Sequence, residues 1–252
     1  MLLLKKLLIL LSFFISIISA KAQVVNVESK RFLNDTNGWV GKVDFNFMLT
    51  QNTQQIISVG NNVHVQYQQN RHRFLILNDI NFIKAGSTDF VNAGFQHFRY
   101  NYKIVDRITW EAFTQVQYNK VLKMDLRYLS GTGPRFKLVK NSNLRLYLAT
   151  LYMYEYEEIT NETKPNQAHR LSSYLTFSIS LGKHADLTST TFYQPNFANF
   201  NDYRIANDSA LELYISKRLN FKTGFNLLYD TRQPAGIPEL VYSLRNGLSF
   251  KF

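Results

Sequence analysis

From Trp39 onward the chain alternates apolar and polar residues over segments of about ten, separated by turn-forming clusters of Asn, Gly, Asp and Pro. In the first segment Val43, Phe45, Phe47 and Leu49 share one face of an extended chain, while Lys42, Asp44 and Asn46 share the other, because strand side chains alternate with period two. No long segment carries the helical period. The pattern predicts twelve strands, near 38–50, 55–68, 72–83, 89–102, 107–118, 121–139, 143–157, 169–181, 186–195, 209–218, 220–230 and 240–252, with ten as the fallback count. Either even count returns both ends of the chain to one side.

The connections alternate in length. Short links at Gln69-Asn70, Lys140 to Ser142, Gly182 to Ala185 and Leu219 interleave with longer polar stretches at Glu158 to Ala168, Asn196 to Asp208 and Thr231 to Glu239. Short periplasmic turns and long external loops give outer-membrane barrels that asymmetry. A strand of about ten residues, at roughly 3.3 Å each and tilted near 40°, spans roughly the 25 Å apolar band of such a barrel. The expected fold class is therefore all-β, a transmembrane up-and-down antiparallel β-barrel over residues 38–252.

Composition agrees with this reading. The chain holds 15 tyrosines and 20 phenylalanines, too many to bury in one soluble domain of this size. Trp39, Tyr100, Tyr102, Trp110, Tyr118, Tyr152, Tyr154, Tyr156, Tyr193, Tyr229 and Tyr242 fall near strand ends on the apolar face, where amphipathic rings favour the headgroup region. The opening residues read as a secretory signal over 1–22, with Lys5 and Lys6 before an apolar run from Leu7 to Ile18 and a small-residue cleavage site at Ala20-Lys21-Ala22. Residues 23–37 would form a periplasmic N-terminal segment. Beyond Gln23 no run of about 18 apolar residues appears, which excludes a membrane helix. With no cysteine, neither a disulfide framework nor a lipidated cysteine is available.

The 29 basic residues, less Lys5, Lys6 and Lys21, leave 26 against 18 acidic ones, a net +8 for the processed chain. Those charges are dispersed with no run or compact motif, which argues against nucleic acid as a partner. The expected partners are outer-membrane lipid and the outer-membrane assembly machinery, the protein acting as a monomer. The last strand carries the signal for the second partner. Leu240, Tyr242, Leu244, Leu248, Phe250 and Phe252 alternate with Val241, Ser243, Arg245, Gly247, Ser249 and Lys251. Its terminal aromatic Phe252, preceded by Phe250, resembles the C-terminal recognition signal of that machinery.

If Phe98, Tyr100 and Tyr102 face lipid, then His97, Arg99 and Asn101 face the lumen. The same alternation turns Glu111, Gln115 and Gln117 inward, then Asp125, Arg127, Gly131, Gly133 and Arg135, then Arg145, Glu155 and Glu157. Antiparallel pairing places residues opposite each other around a turn centre. Arg99 would face Glu111 around Ile104 to Asp106, Glu111 would face Arg127 around Asn119, and Arg127 would face Glu155 around Asn141. The prediction is a lateral ladder of alternating charge, Arg99, Glu111, Arg127 and Glu155, with Arg135 one level lower. Such a ladder is either a constriction or ligand-binding patch, or a salt-bridge network that fills and stiffens the interior.

Signals for chemistry are sparse. His64, His72, His97, His169 and His184 are scattered, with neither metal-ligand spacing nor a nucleophile–histidine pair. Arginines neighbour both Glu111 and Glu155 in the ladder, which favours ion pairing over acid–base work. Gly131-Thr132-Gly133 lacks the Lys-Ser/Thr and helix of a phosphate loop, and close backbone packing in a barrel wall accounts for it. No enzymatic activity, cofactor or metal is expected.

The central segment RYNYKIVDRITWEAFTQVQYNKVLKMDLRYLSGTGPRFKL, followed by LRLYLATLYMYEYEE, resembles the YdiY-like family of salt-induced outer-membrane proteins. The matching positions are Arg99, Tyr100, Asn101, Glu111, Ala112, Phe113, Gln115, Gln117, Arg127, Gly131, Gly133, Arg135, Tyr154 and Glu155. The likeness is good over about 95 to 160 and thinner elsewhere, and it departs at Pro134. It implies an outer-membrane barrel and names no substrate. Three functions compete. One is a barrel filled by charged side chains that serves envelope integrity or limited solute passage under osmotic stress. Another is an open anion-preferring channel lined by Lys42, Arg99, Arg135, Arg145, Lys222, Arg245 and Lys251. The third is a surface receptor or adhesin built on loops 158–168 and 196–208.

Overall fold

The computed structural model describes residues 37–216 and 218–250. The expected signal peptide, most of the N-terminal segment, Lys251 and the terminal Phe252 lie outside the described residues. Twelve strands follow one another: β1 (Gly38–Gln51), β2 (Gln55–Gln69), β3 (His72–Ala85), β4 (Thr88–Val105), β5 (Ile108–Asn119), β6 (Met124–Lys140), β7 (Leu144–Ile159), β8 (Asn166–Ser180), β9 (Ala185–Asn196), β10 (Asn199–Tyr214), β11 (Leu219–Asp230) and β12 (Leu240–Phe250). They form one sheet in sequence order, and every neighbouring pair is antiparallel.

Strand twist and length roll this sheet into an up-and-down β-barrel. Neighbouring strands lie about 4.8 Å apart, so β5 and β8 would be about 14 Å apart in a flat sheet. Yet the Tyr174 hydroxyl on β8 donates to Glu111 Oε2 on β5 at 2.6 Å. Lys123 Nζ, in the β5–β6 connection, reaches Ala235 O in the β11–β12 connection at 2.5 Å. Among the described residues the pairing order begins at β1 and ends at β12, with no pairing between these two.

Alternation divides the wall into two faces. The outer one carries Phe45 at 72 % exposure and Leu248 at 71 %, with Ile76, Trp110, Leu148, Tyr152, Leu175 and Tyr242 also uncovered. The inner one buries His97, Arg99, Glu111, Gln115, Arg127, Glu155 and Arg204, together with apolar patches at Leu75, Leu77 and Phe95 and at Ala149, Leu151, Tyr174, Phe192 and Ala206.

One expected segment is corrected. Asn196 to Asp208 is not a long loop, because β9 runs to Asn196 and β10 begins at Asn199. Its Asn and Asp residues look like turn formers. Within it Asp202 and Arg204 turn inward and are buried, while Asn199 and Asn201 are exposed. The longer connections that remain are 160–165 and 231–239, both on the rim opposite the chain ends.

Candidate functional site: a charged interior in two levels

The interior charges collect at two heights. The lower cluster surrounds Glu111, which is fully buried. Arg99 Nη1 donates to its Oε2 at 3.3 Å, Tyr174 donates to the same oxygen, and Arg135 Nε lies 3.8 Å from Oε1. Arg99 Nε also donates to His97 Nε2 at 3.3 Å, while His97 Nδ1 meets Gln115 Oε1 at 2.8 Å. These two contacts fit the tautomer with its proton on Nδ1. Aromatic faces hold both guanidiniums, Arg99 over Phe113 at 5.5 Å and Arg135 over Tyr147 at 3.9 Å.

The upper cluster is larger. Three arginines, Arg127, Arg170 and Arg204, meet four carboxylates, Glu155, Glu157, Asp202 and Asp230, all seven of them buried. Arg170 Nε contacts Glu155 Oε2 at 2.6 Å and its Nη2 contacts Asp202 Oδ1 at 2.9 Å. Arg127 Nε lies 3.2 Å from Glu155 Oε1, and its Nη2 pairs with Glu157. Arg204 binds three carboxylates, pairing with Glu155 and Asp230 and reaching Glu157 Oε2 at 3.1 Å. Register explains part of this, since Arg204 lies directly opposite Asp230 and Arg127 opposite Glu157. Arg232, from the 231–239 connection, closes over the top with Nη1 3.6 Å from Asp202 Oδ2. Between the two levels lies a cavity of about 70 Å³, bordered by Gln115, Leu129, Leu151, Met153, Phe192 and Leu228.

All five predicted ladder residues therefore face inward, but not as one row of opposed pairs. Glu111 lies opposite Asn101 and Gly133 rather than Arg99 and Arg127, and Glu155 lies opposite Leu129 rather than Arg127. The largest difference is local. Asn119 caps a 3-10 turn over Lys120–Leu122, its Oδ1 accepting from Leu122 N at 3.2 Å, and Lys123 closes the turn at φ 57°. That turn moves the β5–β6 centre beyond Asn119 and sets Arg127 opposite Gln117. Arg99 still reaches Glu111, and Arg127 still reaches Glu155, on the diagonal.

Sequence reasoning missed Arg170, Asp202, Arg204, Asp230 and Tyr174. Carrying the alternation through the eighth and eleventh strands would have turned Arg170, Tyr174 and Asp230 inward. Asp202 and Arg204 were concealed by reading their segment as a loop. Of the assembly-signal residues, Phe250 ends β12 at 61 % exposure, and Phe252 lies outside the described residues. Among the described residues no cluster of three or more His, Cys, Asp or Glu side chains could hold a metal ion.

At the rim beside the chain ends, Asp106 accepts from Lys103 and Lys137, which hold its carboxyl below the usual carboxylate range. The ion-pair distances are 3.0 Å and 3.3 Å.

The fold resembles solved structures at low identity. The NanC porin, in a rhombohedral crystal form, shares 11 % identity at a TM-score of 0.47, covering 77 % of this chain and 94 % of its own. The Pseudomonas putida toluene transporter TodX shares 9 % identity at a TM-score of 0.39, covering 85 % of this chain and 78 % of its own. No curated protein matches the chain. A family model described as "Protein of unknown function, DUF481" matches residues 43–252, and the chain belongs to this YdiY-like family.

Proposed function

We propose that the protein is a non-enzymatic outer-membrane β-barrel closed by its own charged side chains, serving envelope integrity or limited solute passage under osmotic stress. It needs no cofactor, acts as a monomer, and partners outer-membrane lipid and, through its last strand, the assembly machinery. Support for a lipid setting is the outer face, where apolar and aromatic side chains recur on strand after strand. An exposed apolar surface of that extent would be an aggregation hazard in water. Even the eleven-residue β12, tilted about 40°, rises roughly 28 Å, enough for the apolar band of an outer membrane.

The upper network carries the functional reading. Desolvating an ion costs several kcal/mol, so seven buried charges persist only because each meets opposite charge. Arg232 and the Lys123 to Ala235 contact lay the 231–239 connection over this layer. Such a mouth is sealed rather than open. Salt screens buried pairs far less than exposed ones, so the seal would keep its strength when external salt rises.

Planar-bilayer recording tests this. The intact protein is expected to give no steady conductance, whereas Arg204→Ala, which removes the shared partner of three carboxylates, is expected to give openings. A steady anion-selective current from the intact protein would instead favour the channel reading.

A further inference from the structure

The turns at the two rims treat their cations differently. At the rim opposite the chain ends, Lys120 pairs with Asp125 at 2.5 Å, Lys123 Nζ donates to Ala235 O at 2.5 Å and Arg232 Nη1 lies 3.6 Å from Asp202 Oδ2. Lys164 shares its connection with Glu162. At the rim beside the chain ends, four of the five connections carry a described cation: Arg71 between β2 and β3, Arg107 between β4 and β5, Lys183 between β8 and β9, and Arg218 between β10 and β11. All four are exposed, and none forms an ion pair among the described residues.

The acids near this rim are engaged with other groups. Asp106 holds Lys103 and Lys137, Asp186 accepts from Ser180 and Tyr214, and Glu212 pairs with Lys222 at 3.2 Å. The four tip cations therefore stay uncompensated at the barrel end. Adjacent strands lie about 4.8 Å apart, so successive tips, two strands apart, stand roughly 10 Å from each other around the rim. Four cations spread around a ring do not gather on one small ligand. They match a surface whose negative charges are themselves spread out, one to a group.

The neighbouring outer face sets the depth of this ring. Trp39 stands at the start of β1 and Trp110 near the start of β5, both at the same rim. Beside them His72 stacks against Tyr100 and Tyr102, with ring centroids 6.0 Å and 5.2 Å apart. Amphipathic rings settle at headgroup level, so turns just beyond them meet the charged layer. Each basic side chain within a Debye length of an anionic leaflet is drawn to it.

We infer that the rim beside the chain ends is a docking surface for anionic phospholipid headgroups, each tip cation meeting one singly charged phosphate. A glycolipid with several phosphates on one headgroup calls for cations that converge, and these do not. The inference rests on the lipid setting proposed above.

Both tryptophans report from this rim. The test is their fluorescence in liposomes of phosphatidylcholine mixed with phosphatidylglycerol, the two lipids being brominated in turn. A several-fold preference for phosphatidylglycerol at low salt, fading as salt is added, is expected. The combined variant Arg71→Gln, Arg107→Gln, Lys183→Gln and Arg218→Gln should lose that preference, while Lys164→Gln at the opposite rim should keep it. Heat-modifiable gel migration checks that each variant is folded. Equal quenching by the two lipids, or a preference that survives the combined variant, overturns the inference and leaves the protein in the bilayer. Absence of quenching by either lipid overturns the lipid setting, and the inference with it. Equal quenching together with saturable polyglutamate binding that the combined variant loses would assign the rim to an acidic polypeptide instead.

Discussion

The hydroxyl of Tyr174 on β8 donates to Glu111 on β5 at 2.6 Å, across two intervening strands. This bond spans the interior and also supplies a partner for a carboxylate with no exposure to water. Tyr174→Phe keeps the ring against Phe192 and Ala149 but deletes the donor. A hydrogen bond to a charged group contributes about 1.5–3 kcal/mol, and a loss in that range is expected from urea titration in detergent. Tyr174→Ala should lose about 3–5 kcal/mol, because a cavity is added to the missing bond.

The arginines of the upper layer should rank by the carboxylates they serve. Among the described residues Arg204 meets Glu155, Glu157 and Asp230, whereas Arg127 meets Glu155 and Glu157. Removing one partner of a buried pair costs about 3–5 kcal/mol. Arg204→Ala is expected at the top of that range and Arg127→Ala below it, both read from unfolding midpoints. Equal and small losses would mean that water already reaches the layer.

Gly133 allows a close approach between β6 and β7. A Cβ there would lie 2.3 Å from Thr150 O and 2.7 Å from Leu151 Cα, both backbone atoms that cannot step aside. The β6–β7 register passes from Thr132↔Tyr152 to Arg135↔Ala149 without paired partners at Gly133 and Pro134. Gly133→Ala should therefore destabilise by about 1–3 kcal/mol through overpacking, with loss of heat-modifiable migration as a second readout. Gly224, where nothing lies within 4 Å of the place a methyl group would take, is the control, and Gly224→Ala should leave migration unchanged.

What the sequence disclosed follows from which forces leave a pattern in it. Lipid-facing alternation is written in every strand, so β1, with Val43, Phe45 and Phe47 on one side, was legible to within a residue. The start of β10 was not. Its segment NFNDYRIAND has the composition of a loop, yet it pairs with β9 and, from Arg204, with β11, while Asp202 and Arg204 meet opposite charges inside the barrel. The site divided in the same way. Inward direction could be read for Arg99, Glu111, Arg127 and Glu155, and so could the pairs Arg99 with Glu111 and Arg127 with Glu155, but the expected step from Glu111 to Arg127 does not form, because the 3-10 turn capped by Asn119 resets the register. Contacts across the lumen, such as Tyr174 with Glu111, depend on curvature and leave no local trace in the chain.

The chain has two tryptophans, and both lie on the outer face near one rim, Trp39 at 73 % and Trp110 at 44 % exposure. Trp110 Nε1 donates to Thr132 Oγ1 at 2.8 Å, which satisfies its polar edge while the ring meets the surroundings. In liposomes, lipids brominated near the headgroup should quench this fluorescence more than lipids brominated near the chain ends, as for an interfacial belt. Strong quenching by aqueous iodide would place these rings in water instead.

The most direct measurement is a nitroxide scan along β1 in liposomes, where substitutions at exposed positions disturb little packing. Oxygen, which partitions into hydrocarbon, should collide with labels at Val43, Phe45, Phe47 and Leu49, while a water-soluble nickel complex should favour Lys42, Asp44 and Asn46. A period of two in the two accessibilities, opposite in phase, is expected. Nickel access that is high at every position, or that follows a period near 3.6, would contradict a barrel wall with lipid on one side.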